Sequence, residues 1–293
     1  NYSYDKFISW QLAGDLMPNP NKEMLLATGF NRNHKITQEG GVIDEEYRIE
    51  YVTDRTNTFG IACRARTGEG AKCHDHKCYR ISQKEYYSTF AFFNQVAEKG
   101  YQGDIYSGTA ADVPRITIKD EVLKGILNFV NKKDSGLLKV MIMRDSNVFR
   151  PTHLLSRGAY DAPAEVVAFG TPSRIMGFDT TRFSKNRLGL VNWMLDKNNP
   201  LTSRVFVNRM WEQLFGRGLV KTSGDFGMQG ELPSHPELLD WLATDFVSNG
   251  WDIKRLMKQI VMSATYRQSS IIDKEATAKD PENIYLSHAP RMR

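Results

Sequence analysis

The chain has 293 residues and a mass of 33.5 kDa, which fits one large domain or two ordinary ones. Hydrophobic residues make up 41% and charged residues 25%, a balance that excludes disordered, collagen-like and coiled-coil proteins. The sequence has no run of 18 apolar residues, so no membrane-spanning helix is predicted. The 39 Lys and Arg against 34 Asp and Glu give a net charge of +5 spread along the chain, so nucleic acid is not an expected partner.

The start of the sequence and its cysteines set further expectations. The sequence begins at Asn1 with no signal-peptide pattern, which predicts a removed leader or a fragment. Cys63, Cys73 and Cys78 lie within sixteen residues, too few for a disulfide scaffold. Such clustering favours a local site, or one disulfide and a spare thiol.

Helical periodicity dominates the first part of the chain. Apolar residues at i, i+4 and i+8 predict a helix over 8–16 that Pro18 ends. A second helix is predicted over 43–51, with an acidic start at 44–46 that suits the helix dipole. A capping box at 82–85 predicts a third helix, whose many aromatic side chains indicate a core position.

The middle of the chain has a different pattern. Short β-like runs at 115–118, 138–143 and 148–155 are separated by Gly, Pro, Asp and Ser. One further helix is predicted between 119 and 130. From 184 to 270 the helical pattern returns.

The last part of the chain predicts four helices. Apolar stripes at 188–195 and 206–214 predict the first two. A second capping box at 234–237, with a proline in the first turn, predicts the third. Asp252 is the predicted N-cap of the fourth.

These elements predict a mainly α fold, with two helical halves joined by an irregular, partly β segment. The predicted organisation is a first domain at 1–110 that contains the reactive cluster described next. A linker at 111–135 and a helical C-terminal partner domain at 136–293 follow.

One dense cluster of reactive side chains stands out, with the sequence Cys-His-Asp-His-Lys-Cys at 73–78. A cysteine directly followed by histidine is the second half of the C-x-x-C-H haem attachment motif. In that motif a thiolate adds to a haem vinyl group, and the adjacent imidazole reaches the iron as an axial ligand. The first cysteine of the motif is replaced by Gly70, so half of the motif is present.

Longer motifs around this cluster resemble a known family. In the first part of the chain they lie at 11–16, 27–30, 39–41, 73–77 and 82–87. In the last part they lie at 186–190, 199–205, 207–211, 215–220, 225–227, 230–242 and 263–269. Together they resemble the planctomycete cytochrome c-like domain paired with its C-terminal partner domain. The resemblance covers most of 4–97 and 138–293.

The resemblance implies a haem c-binding protein in the periplasm or outside the cell. It implies an electron-transfer or redox module beside polysaccharide-degrading functions, with a redox partner protein and a polysaccharide-degrading assembly as expected partners. Because Gly70 replaces the first cysteine, we expect haem c held by a single thioether to Cys73, with His74 as the iron ligand. His76 is expected near the metal, as a ligand or as a hydrogen-bonding neighbour.

Several alternatives remain open at this stage. Met141, Met143 or another histidine could supply the sixth iron ligand. Zinc could bind Cys73, His74, His76 and Cys78, although four ligands within six residues would strain one loop. A disulfide of Cys63 with Cys73 or Cys78 would make the chain a non-redox binding or structural module.

The other polar residues that could carry chemistry give weaker signals, and no catalytic residue is assigned. We predict a structural role for His235, in the second capping box, and a solvated position for Asp240. Glu231 and Asp225 could form a carboxylate pair for glycoside chemistry, but their spacing does not favour this beyond chance. Arg204, Arg209 and Arg217 near Trp211 indicate either a surface for sugars or carboxylates or, more simply, a basic helix face.

Overall fold

A computed structural model describes residues 2–65, 68–77, 81–101, 113–119, 137–271 and 274–289. The helix predicted between 119 and 130, most of the predicted linker at 111–135, and Cys78 lie outside these ranges. Among the described residues, no helix is both long and apolar enough to cross a membrane.

Helices form most of the first part of the chain. They are α1 (Tyr4–Ala13), α2 (Lys22–Ala27), α3 (Asp44–Arg64) and α4 (Gln83–Phe90). Short 3₁₀ turns lie at Gly14–Leu16, Thr28–Arg32 and Glu69–Lys72. The acidic first turn of α3 and the complete capping box of α4 confirm these two sequence predictions.

Two small antiparallel sheets occupy the middle of the chain. Strand β1 (Arg115–Lys119) pairs with β2 (Leu137–Met141), and β3 (Thr152–Leu155) pairs with β4 (Pro163–Val167). The chain between β3 and β4 makes a 3₁₀ turn at Ser156–Gly158. The predicted β-like runs therefore form strands, but each pairs only within its own two-stranded sheet among the described residues.

The last part of the chain is again helical. Its helices are α5 (Arg187–Met194), α6 (Thr202–Phe215), α7 (Pro236–Ser248), α8 (Ile253–Val261), α9 (Ala264–Arg267) and α10 (Lys274–Lys279). The predicted N-cap Asp252 is confirmed, because its side chain accepts a hydrogen bond from the Arg255 N–H. The predicted second capping box is wrong: His235 is at the N-cap without a capping bond, and the Ser234 hydroxyl donates to the Leu219 carbonyl instead.

The predicted mainly α fold with two helical halves is wrong. The described residues are 45% helical and 10% strand, and the two small sheets that they form lie between the helical parts. The helical parts are not separate halves, because one hydrophobic core runs through both. Tyr4 of α1 stacks on Phe206 of α6, with ring centroids 4.0 Å apart. Helical periodicity reports that a face is buried, but not that distant helices share the same core.

A buried arginine joins the three parts of the chain. Arg187, at the start of α5, donates hydrogen bonds to the Leu12 carbonyl and to both oxygens of Asp15. It also donates to Asp145, which follows the first sheet. The two carboxylates raise the pKa of Arg187 above its ordinary value against the opposing effect of burial, so this arginine stays charged.

Candidate functional site

The reactive cluster lies on a short loop between α3 and α4. The 3₁₀ turn Glu69–Lys72 leads into it, and Ala71 buries its methyl group in the core. The Cys73 N–H donates to the Gly70 carbonyl at 3.3 Å, which curls the chain before the cluster. Further on, the His76 N–H donates to the Ile81 carbonyl at 2.9 Å. We call residues 69–77 the Cys73 loop.

Gln83, at the start of α4, anchors the Cys73 loop to the rest of the molecule. Its backbone N–H donates to Asp75 Oδ1 at 2.7 Å. Its side-chain Nε2 donates to two carbonyls, those of Lys72 at 2.8 Å and Leu155 at 2.9 Å. The Tyr87 hydroxyl also donates to the Lys72 carbonyl, at 3.1 Å. The backbone on both sides of Cys73 and His74 is therefore held in place, while both side chains are exposed.

The Cys73 side chain is an exposed free thiol. Its sulfur faces the turn between β3 and β4, and a Cβ built on Gly158 would lie 3.0 Å from Cys73 Sγ. The buried Tyr87 ring is also near. Burial and, to a lesser degree, the Cys73 sulfur raise the pKa of the Tyr87 hydroxyl, which remains a neutral hydrogen-bond donor.

His74 has a defined hydrogen bond that suits a metal ligand. Its Nδ1 lies 2.9 Å from the Asp75 carbonyl oxygen, which can only accept a hydrogen bond. In the neutral ring the proton is therefore on Nδ1, and Nε2 has a lone pair. Histidines that bind metals commonly have their other nitrogen fixed in this way.

His76 has different surroundings, although the same loop holds it. A Cβ built on Gly70, where the full motif has its first cysteine, would lie 3.1 Å from His76 Cδ2. The His76 ring therefore lies over the position of the missing cysteine. Among the described residues, no group of three or more His, Cys, Asp or Glu side chains is arranged to hold a metal ion, and the fourth predicted zinc ligand, Cys78, lies outside them.

The structure places the two candidate methionines elsewhere. The sulfur of Met141 accepts from Arg32 Nη2 at 3.6 Å, and that of Met143 lies 4.0 Å from Arg55 Nη1. Both sulfurs therefore face a buried group of charges rather than the Cys73 loop. Cys63 lies in α3 with its side chain in the hydrophobic core, whereas Cys73 is at the surface.

Sequence reasoning missed this buried group, which consists of Glu98, Arg32, Arg55 and His34. Glu98 is fully buried and accepts hydrogen bonds from both terminal nitrogens of Arg55. Arg32 Nε lies 3.5 Å from Glu98 Oε2, and His34 Nε2 lies 3.6 Å from the same oxygen. The four residues come from three separate segments of the chain, so no local sequence pattern predicts the group.

Burial keeps His34 neutral inside this group. Burial, the charge of Arg55 and, to a smaller extent, that of Arg32 lower its pKa from 6.5 to about 4. Its Nδ1 lies 2.8 Å from the Lys35 carbonyl, and its ring stacks on Tyr51 with centroids 4.3 Å apart. Two arginines therefore share one carboxylate and a neutral imidazole.

An open cleft of about 540 Å³ lies between His34, α3 and the Cys73 loop. Four carboxylates line it, at Glu39, Glu50, Asp54 and Glu69. Glu69 belongs to the Cys73 loop, and Glu50 pairs with Lys72 of the same loop. The cleft is thus a negatively charged neighbour of the Cys73 loop on a chain of positive net charge.

The remaining candidates have structural or surface roles. Asp240 forms an ion pair with Arg204, and Glu231 lies 3.8 Å from Arg217. Asp225 Oδ1 accepts from the Gly227 N–H, and Arg209 donates to the Ile61 and Ala62 carbonyls at the end of α3. Trp211 is buried and stacks on Phe215, so it offers no face to a sugar.

Two family models match the chain, and they cover its two ends. Residues 1–98 match a family described as a protein of unknown function, DUF1549, and residues 186–293 match another of the same description, DUF1553. The two matches, one at each end of the chain, are consistent with a paired-domain arrangement of unknown function. The Cys73 loop lies in the DUF1549 region, and Arg187 lies at the start of the DUF1553 region. No curated protein and no solved structure gives a significant match.

Proposed function

We propose that this chain binds haem c through a single thioether to Cys73, with His74 Nε2 as a ligand of the iron. In this proposal the protein is an extracytoplasmic electron-transfer or redox module associated with polysaccharide processing. The observation that supports it is an anchored loop with an exposed thiol next to an exposed imidazole of defined tautomer. The haem, when bound, supplies a one-electron redox centre.

The residues present fit this group in three respects. The Cys73 thiol is exposed, so a vinyl group can reach it. Its sulfur forms the new C–S bond and its proton passes to the other vinyl carbon, which needs no oxidant. The hydrogen bond from His74 Nδ1 to the Asp75 carbonyl leaves Nε2 available for iron. The anchors from Gln83 and Tyr87 keep the two side chains adjacent without using either of them.

The test is the mass of the denatured polypeptide after the chain has been produced with a haem-attachment system outside the cytoplasm. We expect the mass of the polypeptide plus one haem, with the increment on a peptide containing Cys73. Cys73→Ser should remove the mass increment. Cys63→Ser, which changes a side chain in the core, should leave it unchanged. A wild-type polypeptide of bare mass contradicts the proposal and favours the non-redox binding or structural module.

The ligand assignment has its own test. His74→Ala should abolish the low-spin haem spectrum, because it removes the imidazole that is adjacent to Cys73 and whose ring is fixed by the Asp75 carbonyl. His76→Ala should leave attachment intact and shift the spectrum only modestly, because the His76 ring lies over Gly70. The opposite result, with loss of the spectrum only in His76→Ala, would assign the iron to His76.

A further inference from the structure

The turn between β3 and β4 lies against the Cys73 sulfur, although neither family match covers this part of the chain. The closest approach is at Gly158. A Cβ there would lie 3.0 Å from Cys73 Sγ and 3.2 Å from Lys72 Cγ. The backbone of Gly158 has φ +77°, in the left-handed region that favours glycine. Both space and backbone conformation therefore require a residue without a side chain.

A single side chain fixes the distance between this turn and the thiol. Gln83 Nε2 donates to the carbonyl of Lys72, which precedes Cys73, and to that of Leu155, which precedes the turn. Leu155 is itself buried in the core, so the turn cannot move away without exposing apolar surface. The loop and the turn are thus held face to face.

The backbone of the turn is itself tightly constrained. Arg157, next to Gly158, is a non-glycine residue with φ +52°. Such a conformation costs free energy and persists only where surrounding contacts impose it. Here the Ala159 N–H donates to the Ser156 carbonyl at 3.1 Å, and the tight turn that this bond closes imposes the conformation.

We infer that Gly158 is a positioning residue for Cys73: the turn forms one wall of the site, and the missing side chain leaves the thiol room for its substituent. This inference rests on the proposed function only for the identity of that substituent. The site is accordingly composite, with its reactive groups in the DUF1549 region and one wall in the middle of the chain.

The first test compares two glycines with similar backbones. Asparagine tolerates the left-handed region, so Gly158→Asn adds a side chain without a large backbone penalty. Gly250→Asn is the matched control, because Gly250 has φ +70° and a Cβ there meets nothing within 4 Å. The full-length chain is prepared without haem, and alkylation of Cys73 by iodoacetamide is followed by peptide mass.

We expect Gly158→Asn to slow alkylation of Cys73 by roughly tenfold, because the new side chain overlaps the space around the sulfur. Gly250→Asn should leave the rate within about twofold of that of the unaltered chain. Equal rates in the two variants would overturn the inference.

A second variant tests the proximity itself and does not depend on a loss of reactivity. In a disulfide, the Cβ of each cysteine lies about 3 Å from the partner's sulfur. Gly158→Cys should therefore form a disulfide with Cys73 under mild oxidation, seen as one crosslinked peptide pair. Gly250→Cys should not. Absence of the crosslink in folded Gly158→Cys would show that the turn does not face the thiol.

These outcomes separate the inference from the proposed function. If alkylation is slowed and the crosslink forms in a chain that never acquires haem, the inference about Gly158 is supported and the haem proposal is contradicted. If haem is attached at Cys73 and neither Gly158 substitution has an effect, the haem proposal is supported and the inference about Gly158 is contradicted.

Discussion

The two family-matched regions are stabilised in different ways. In the DUF1549 region the interior contains charged groups, because Glu98 is fully buried together with Arg55 and Arg32. Burying charges is costly, and their mutual attraction offsets this cost only while every partner is present. The interior of this region therefore depends on the Glu98 carboxylate, which offsets part of the buried positive charge.

Apart from the buried Arg187 at its start, the DUF1553 region has an aromatic interior and ion pairs at its surface. Trp211 and Phe215 stack with ring centroids 4.1 Å apart, and Phe206 stacks on Phe246 at 5.2 Å. Arg217 instead pairs with the exposed Glu282 in a network at the edge of the region. Such pairs contribute little, because water screens them and their side chains lose freedom.

The same substitution should therefore change the free energy of unfolding by very different amounts in the two regions. Neutralising a carboxylate in the DUF1549 interior leaves buried positive charge without compensation. Neutralising one at the DUF1553 surface returns an arginine to water. This difference can be tested with isosteric changes that keep the volume of the side chain.

The largest expected effect is that of Glu98→Gln. Because Arg55 and Arg32 would keep their charges without a carboxylate, we expect a loss of about 3–5 kcal/mol in the free energy of unfolding. Urea denaturation followed by far-UV circular dichroism measures it. Glu282→Gln is the control, and its expected loss is much smaller because Glu282 is exposed. Similar losses for the two variants would show that Glu98 does not offset the buried charge of the two arginines.

The next effect is a pH dependence that belongs to the DUF1549 interior. The pKa of His34 is about 4 in the folded chain and 6.5 at its ordinary value. Between these values the unfolded chain binds more protons, so stability falls as the pH drops from about 6.5 to about 4 and is unaffected by this group above that range. The full loss amounts to about 3 kcal/mol.

The variant that isolates this effect is His34→Asn, which can still donate to the Lys35 carbonyl but does not titrate. The difference between its urea unfolding curve and that of the unaltered chain should vary with pH over the stated window. His153→Gln, in β3, is the control, because it changes a histidine at the surface. A pH-independent difference for His34→Asn would mean that His34 titrates alike in the folded and unfolded chains.

A smaller effect on stability, but a clear effect on chemistry, is expected for Gly70→Cys. The new Cβ would lie 3.1 Å from His76 Cδ2, so the His76 ring must shift by a few tenths of an ångström. We expect a loss below about 1.5 kcal/mol and a complete C-x-x-C-H motif. If haem binds, the absorption band of its reduced pyridine complex should shift in wavelength. The shift is from the position typical of haem with one thioether bond to that of haem with two. An unchanged band would place the new thiol out of reach of the second vinyl group.

Local signals in the sequence predicted much of the fold, and long-range pairing explains what they missed. Asp252 and the capping box at Ser82 were predicted because each cap and its partner lie within one helical turn. Glu98 was missed because its partner Arg55 is 43 residues away and no pattern links them. The false expectation of two helical halves has the same origin, since Tyr4 meets Phe206 only in the folded chain.

The candidate site shows the same division. Cys73 and His74 were predicted because the motif places them next to each other. Nothing in the sequence linked Gly158 to the site, because the sulfur that it faces belongs to another segment. The anchoring bonds of Gln83 likewise join residues that are distant in the chain. Adjacent residues can thus identify reactive groups, whereas the surroundings of those groups are set by tertiary contacts.

The smallest expected effect comes from removing one helix N-cap in each region, which compares the two regions directly. Ser82→Ala and Asp252→Ala each remove an N-cap that accepts a backbone hydrogen bond, from Glu85 at 3.1 Å and from Arg255 at 3.0 Å. We expect each to cost about 1 kcal/mol of unfolding free energy. Only Ser82 precedes Gln83, the anchor of the Cys73 loop. Ser82→Ala should therefore also change the alkylation rate of Cys73, whereas Asp252→Ala should not. Equal stability losses with an unchanged alkylation rate in both would mean that the core contacts of the loop, rather than the start of α4, hold the thiol in place.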